Sequence, residues 1–335
     1  MSDKRLYISD LPKEKLRLLF SDVLREFCII IYKGREVKAK HFTHFDIADF
    51  DIKYNEYYEE AIRNGAPTIE EREKILIEEG SWTLDRDKQI KDNCLFVSNM
   101  KETKAKLFRQ AEIEQINNTI RETEKKIRLL EEEKGQLLQY TAESYASKRI
   151  TEYQIFQSLF IGDIPLFNNE ERDLLSDQEV ITIISSYNER FAIFNECNFK
   201  RIALSNFFLN SFYLCKDNPF TFYGKPIIKL TLFQVEIFGH AVYFKNILTH
   251  APNKPPTHIL EDPDKLIDWY NATQSIKREI DKGKKSEDII GLSRQDKELL
   301  GIQTQYDPHK KLIELAKKKG SALDSNDILR LQGLI

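Results

Sequence analysis

Residues 101–145 constrain the fold more than any other part of the chain, because a narrow apolar stripe runs through an otherwise charged segment. The stripe repeats at alternating spacings of three and four residues, which is the a/d pattern of a coiled coil. Its positions are Ile113, Ile116, Ile120, Thr123, Ile127, Leu130, Lys134 and Leu137. No proline occurs from residue 101 to residue 164, so one helix can continue through the stretch, and Gly135 is its weak point.

A helix with so narrow an apolar stripe gains too little from burial to be stable by itself in water. The stripe should therefore pack against a second helix. Three candidates remain open: residues 143–159 folded back on the same chain, a second copy of the chain, or a helix of a client protein. The sequence thus predicts a long antiparallel, coiled-coil-like helical arm over residues 101–160, whose six apolar stripe residues bind a partner, and it leaves self-association through the arm open.

The first 100 residues combine a short hairpin with helices. Residues 28–32 form a β-branched run, Lys33-Gly34 supplies a turn, and residues 37–41 alternate with a period of two, which predicts a β-hairpin. Residues 46–62 then show helical spacing. Thr68 and Glu71 form a capping box that predicts the start of a further helix. The interpretation is an N-terminal α+β region.

Residues 161–271 are richer in apolar and aromatic side chains, and we expect a helical domain there. Core helices are predicted at residues 180–184, 191–194, 202–213 and 230–248. A short helix should begin at Asp262-Pro263, because proline is favoured at the first helical position. Residues 272–335 have a low apolar density and are predicted to form a flexible charged tail. The predicted fold class is mainly α with a small N-terminal hairpin.

Aromatic residues are dense between positions 207 and 244. The simplest interpretation is that they build a hydrophobic core. The alternative is that some of them line a groove for a client segment, since aromatic side chains are favoured anchors at interfaces. The candidate anchors are Phe220, Phe222, Tyr223, Phe233, Tyr243 and Phe244.

One constellation could hold a metal ion: His41, His44 and Asp46 lie within six residues. In a strand, however, the two histidines would face opposite sides. Roles as polar surface or helix-capping residues are favoured instead. Neither a nucleophile elbow nor a glycine-rich phosphate loop occurs, so we expect no enzymatic activity and no cofactor.

Charge and cysteine content exclude other classes of function. The net charge is -3, without the clustered basic residues that binding to nucleic acid requires. The four cysteines include no CxxC pair, so reduced thiols are expected rather than a disulfide framework or a zinc site. No secretory signal and no apolar run long enough to cross a bilayer occur, so neither nucleic acid nor membrane is an expected partner.

Residues 217–226, 230–237 and 243–248 resemble proteins encoded in the tail modules of large contractile-tailed bacteriophages. Residues 40–46 and 262–270 are similar to the same group, so the resemblance extends to about residue 270. Some members are known as tail assembly chaperones or baseplate-hub assembly proteins. The resemblance implies a non-enzymatic protein that shields the tape measure protein or a hub subunit in the host cell cytoplasm.

Two alternatives belong to other classes. A structural protein of the tail, neck or baseplate would remain in the virion, so mass spectrometry of purified particles distinguishes it from a chaperone. A metal-dependent enzyme would use His41, His44 and Asp46, and metal analysis of protein purified without a histidine tag tests that hypothesis.

Overall fold

The structure is a computed structural model that describes residues 11–105, 107, 109–251, 254–257 and 259–281. Its helices are α1 (Lys13–Arg25), α2 (His44–Arg63), α3 (Ile69–Glu78), α4 (Leu84–Lys104), α5 (Gln110–Leu137), α6 (Ala142–Ser158), α7 (Asn169–Asp173), α8 (Asp177–Phe191), α9 (Glu196–Leu204), α10 (Asn206–Leu214), α11 (Pro219–Tyr223), α12 (Leu232–His250) and α13 (Pro263–Asp281). The strands are β1 (Phe27–Tyr32), β2 (Arg35–Lys40), β3 (Leu159–Ile161) and β4 (Ile164–Pro165). The predicted mainly α fold is confirmed.

The N-terminal hairpin is also confirmed. Strands β1 and β2 pair antiparallel from Phe27 with Lys40 to Tyr32 with Arg35. Lys33 and Gly34 connect them with φ values of 49° and 74°, as a two-residue hairpin turn requires when its twist matches that of the strands. Strands β3 and β4, which the sequence analysis did not predict, extend the hairpin to a four-stranded antiparallel sheet.

Two glycines test how the backbone contributes to stability, since a Cβ atom added at Gly34 or at Gly135 would meet no atom within 4 Å. Gly34 has a positive φ, so Gly34→Ala should lower the free energy of unfolding by about 1 kcal/mol. Gly135 lies in helix α5, so Gly135→Ala should raise the free energy of unfolding by up to about 1 kcal/mol. Urea denaturation of both variants measures the two changes. A shift of the same sign in both would contradict this account.

The described residues pack around two main hydrophobic cores. One lies between α1, α9, α10, α12 and α13, and includes Leu19, Phe208 and Phe244. The other joins the sheet to α6 and α8, through residues such as Val37 and Ile183. Both cores combine residues from before position 100 with residues from beyond position 150. The predicted boundaries at 100/101 and 160/161 therefore do not separate independent cores.

The apolar stripe of α5 packs against α4, the helix that precedes it in the chain. A small third core forms between the two helices from Ile90, Val97, Met100, Ile116, Ile120 and Ile127. The candidate partner at residues 143–159 forms α6 instead, and α6 packs against α2. The antiparallel arm is thus the pair of α4 and α5, which we call the α4–α5 hairpin, and it begins before the predicted boundary at residue 101.

Ion pairs connect α4 to α5 along the hairpin. Nitrogen–oxygen distances are 2.8 Å between Arg86 and Glu133 and 2.9 Å between Lys101 and Glu124. Lys134, a polar position of the heptad, pairs with Asp87 of α4 at 2.9 Å and with Glu73 of α3 at 2.6 Å. At the other end, Lys104 pairs with Asp268 of α13 at 2.8 Å. Ion pairs at both ends therefore connect the hairpin to the rest of the fold.

Three predicted helix limits in the C-terminal half are wrong. The helix predicted at residues 202–213 is interrupted at Ser205, whose hydroxyl donates to the carbonyl of Arg201 at 2.6 Å and whose carbonyl accepts from two amides of the next turn. Helix α8 ends at Phe191, and the following residues form a turn before Asn195 caps α9. Helix α13 continues to Asp281, beyond the predicted boundary at 271/272. The rest of the predicted tail, residues 282–335, lies outside the described residues.

Candidate partner-binding surface

Intramolecular packing covers much of the heptad stripe that was predicted to bind a partner. Ile113, Ile120 and Ile127 are buried. Ile116, Leu130 and Leu137 are partly buried, and Ile116 also contacts the third core. Because α4 occupies the face of α5 that a client or a second copy would use, the stripe is not a free surface in this conformation.

The six predicted aromatic anchors divide between core and surface. Phe244 is fully buried, so its assignment to a partner surface does not fit the fold. Phe222, Tyr223 and Phe233 are partly buried and pack against the first core. Phe220 and Tyr243 are exposed, at 57% and 43% of their surface. The interpretation as hydrophobic core therefore holds for most of the set.

An open, mainly apolar groove lies where α1, α10 and α11 meet. Its volume is about 290 Å³. We call it the α1–α10 groove and define it by its residues Phe20, Leu24, Phe207, Phe208, Leu214 and Phe222; Ser211, Cys215 and Thr221 also line it. Leu24 and Leu214 are 47% and 81% exposed, although most apolar side chains of these helices point into the core.

Aromatic contacts make the floor of the groove rigid. Phe208 is fully buried, and its ring centroid lies 5.2 Å from that of Phe20 and 5.1 Å from that of Phe222. Phe212 lies behind Phe208 at 5.7 Å. Such tilted and stacked pairs stabilise packing beyond the area they bury. The groove is therefore preformed, which lowers the entropic cost of binding a partner.

Local sequence explains why the groove stays open. In α1, Phe20 and Leu24 are four residues apart on one face. Helix α10 ends directly after Leu214, and α11 begins at Pro219, after a turn in which Lys216 and Asp217 have positive φ values. This turn and the short α11 leave the end of α10 uncovered. Of the candidate anchors named from the sequence, only Phe222 lines the groove, although Phe207 and Phe208 belong to the same aromatic-rich stretch.

The proposed metal ligands are not brought together. His41 is buried, whereas His44 is exposed at the start of α2. Asp46 accepts hydrogen bonds from the backbone amide and the hydroxyl of Thr43, at 2.7 Å and 2.8 Å. Partial burial opposes its ionisation, but these bonds and the Lys40 ammonium hold the pKa of Asp46 below its usual value. Asp46 therefore caps α2, and no group of three potential metal ligands occurs within the described residues.

His41 lies in an aromatic box. Its ring centroid is 5.0 Å from those of Phe194 and Phe233 and 5.9 Å from that of Phe191, and all three contacts are edge-on. Burial, with a smaller contribution from the charge of Arg190, lowers the pKa of His41 to about 3. The imidazole is therefore neutral over the physiological range and serves as a core residue.

Comparison with protein-family models, curated proteins and solved structures finds no match to this chain. Among the described residues, no helix combines the length and the apolar character that crossing a membrane requires.

Proposed function

We propose that this protein is a non-enzymatic assembly factor for the tail or baseplate of a contractile-tailed bacteriophage, and that it binds its client through the α1–α10 groove. The client is an apolar helix of the tape measure protein or of a baseplate-hub subunit. The protein holds it in the host cell cytoplasm until assembly.

The observation that carries this proposal is the exposed apolar surface of the groove. Leu214 is 81% exposed at the end of a helix whose other apolar residues include the buried Phe208 and Phe212. Contiguous exposed apolar surface of this kind marks interaction sites. A rigid groove that accepts the apolar face of a helix is a common mode of peptide recognition.

One of the segments that carry the phage resemblance contributes to a wall of this groove. Residues 217–226 contain α11 and contribute Phe222. Residues 230–237 and 243–248 lie in or just before α12, which packs behind α11: Phe238, between the two segments, lies 6.2 Å from Phe222 by ring centroids. The resemblance and the groove therefore meet at α11, which supports a client-binding role for it.

Leu214→Asp should reduce client retention at least tenfold, because the apolar face of the client would have to cover a carboxylate and remove its water. The assay is co-expression of the tagged protein with the tape measure protein or a hub subunit, followed by affinity capture and quantification of the retained client. The side chain is exposed, so thermal denaturation should show little change in stability.

Leu174→Asp is the matched control, since Leu174 is an equally exposed leucine (84%) outside the groove, and it should retain the client fully. The proposal fails if the wild-type protein captures no tail component. It also fails if Leu214→Asp captures as much as the wild type. Stoichiometric presence of the protein in purified particles would favour a structural virion protein instead.

A further inference from the structure

Basic side chains border the α1–α10 groove. Arg17 precedes Phe20 and Leu24 on the same face of α1, and its guanidinium lies 5.5 Å from the ring centroid of Phe207, a groove residue. Lys216 follows Leu214 by two residues, just after the end of α10. Both basic residues are exposed.

Three of the nearby carboxylates pair with other cations, while Glu14, one turn before Arg17 on α1, is exposed. Asp22 pairs with Arg190 of α8. Glu26 pairs with Lys225 at 2.5 Å. Asp217 pairs with Lys245 at 2.8 Å.

Arg17 and Lys216 form no ion pair within the described part of the chain. Two exposed positive charges therefore flank the groove, although the whole chain has a net charge of -3. A positive rim of this kind attracts negative partners and excludes positive ones.

We propose that the α1–α10 groove is selective for an acidic amphipathic helix, which inserts apolar side chains between Phe20, Leu24 and Leu214 and directs carboxylates to Arg17 and Lys216. This inference rests on the proposed function and names the chemical class of its partner. The volume of about 290 Å³ suits a few anchoring side chains from one face of a helix. The peptide would need apolar residues at helical spacing and aspartate or glutamate beside them.

The test uses two fluorescein-labelled synthetic helical peptides of about four turns. Both carry leucine at positions i, i+3, i+4 and i+7, and the remaining positions are mainly glutamate in one peptide and mainly lysine in the other. Fluorescence anisotropy with the full-length protein measures their affinities. We expect the acidic peptide to bind at least tenfold more tightly than the basic one, and added salt to reduce this preference.

Charge-reversal variants distinguish the contribution of the rim charges to binding from that of the apolar groove. The double variant Arg17→Glu/Lys216→Glu should weaken binding of the acidic peptide about tenfold and strengthen binding of the basic peptide. Lys88→Glu/Lys125→Glu is the control, because it makes the same change in net charge at exposed positions of the α4–α5 hairpin. The control should bind like the wild type. Circular dichroism checks that both variants are folded.

Each alternative outcome has a definite meaning. The inference is overturned if the wild type binds both peptides equally, or binds neither. It is also overturned if the rim variant keeps the wild-type preference. If the rim variant still retains a tail component that Leu214→Asp loses, the charge selectivity is wrong while the proposed function stands. If neither substitution affects client retention, the proposed function fails as well.

Discussion

Lowering the pH from 7 to 5 is expected to reduce the free energy of unfolding by about 2 kcal/mol through His41 alone. The side chain is 1% exposed. Neither ring nitrogen has a hydrogen-bond partner within the described residues. A charged imidazole would have neither water nor an acceptor to stabilise it, so the folded state strongly disfavours protonation.

The direction of this change in stability follows from the pKa of His41 in the unfolded and in the folded state. In the unfolded chain His41 has the ordinary pKa of 6.5, whereas in the folded protein its pKa is lowered to about 3. Between these values the unfolded state takes up a proton that the folded state does not bind. Stability is therefore complete above pH 6.5, is lost as the pH falls below that value, and stops changing once the pH passes the folded pKa.

Other charged groups lie around the aromatic box. They are present both in the wild type and in a variant that lacks only the imidazole, so they do not account for a difference in pH dependence between the two. Arg190 lies close to His41 and opposes its protonation. Burial raises the pKa of Asp22, which pairs with Arg190. Hydrogen bonds from Lys33 and from Ser176 lower the pKa of Glu179 to about 2, so its effect on stability falls mainly below pH 4.5.

Urea denaturation at pH 7, 6 and 5 measures this effect. His41→Phe should make stability nearly independent of pH in this range, because an apolar ring replaces the titrating one in an aromatic box. His44→Gln is the control and should keep the wild-type slope, since His44 is exposed three residues away. A slope that persists in His41→Phe would show that another group is responsible.

Local chemistry made several elements predictable from the sequence. The capping box at Thr68-Glu71 starts helix α3 in the structure. The hairpin followed from its alternating strands and from the glycine in its turn. These features depend on residues within a few positions of each other, so a single sequence contains the whole signal.

The partner of the heptad stripe could not be predicted in the same way. The contacts of α4 come from Ile90, Val97 and Met100, while Leu95 and Phe96 on the same helix remain exposed. The exposed apolar residues obscure the periodicity of α4, so its buried face does not stand out.

The groove depends on long-range contacts. Phe20 and Leu24 of α1 meet Phe207 and Phe222, which are nearly two hundred residues further along the chain. One local signal was present in α1, which carries more apolar residues than a single helix face can bury. They are Leu16, Leu18, Leu19, Phe20, Val23 and Leu24.

The α4–α5 hairpin offers the sharpest distinction between the two candidate binding surfaces. Ile120 is buried in the third core, and Ile120→Asp would place a carboxylate without a partner between the two helices. We expect a loss of about 3 kcal/mol or more in the local stability of the hairpin. Hydrogen exchange should show reduced protection in residues 84–137 and little change around the two main cores, because the third core is separate from them.

Leu129→Asp is the matched control, since Leu129 lies on the same helix but is 51% exposed, and its effect should stay within about 0.5 kcal/mol. If the groove binds the client, Ile120→Asp should still retain a tail component although the hairpin is loosened, while Leu214→Asp should lose it with the hairpin intact. The reverse pattern would show that the client binds the heptad face of α5 in place of α4. The groove would then have no part in binding, and the hairpin would have to open each time a client is bound.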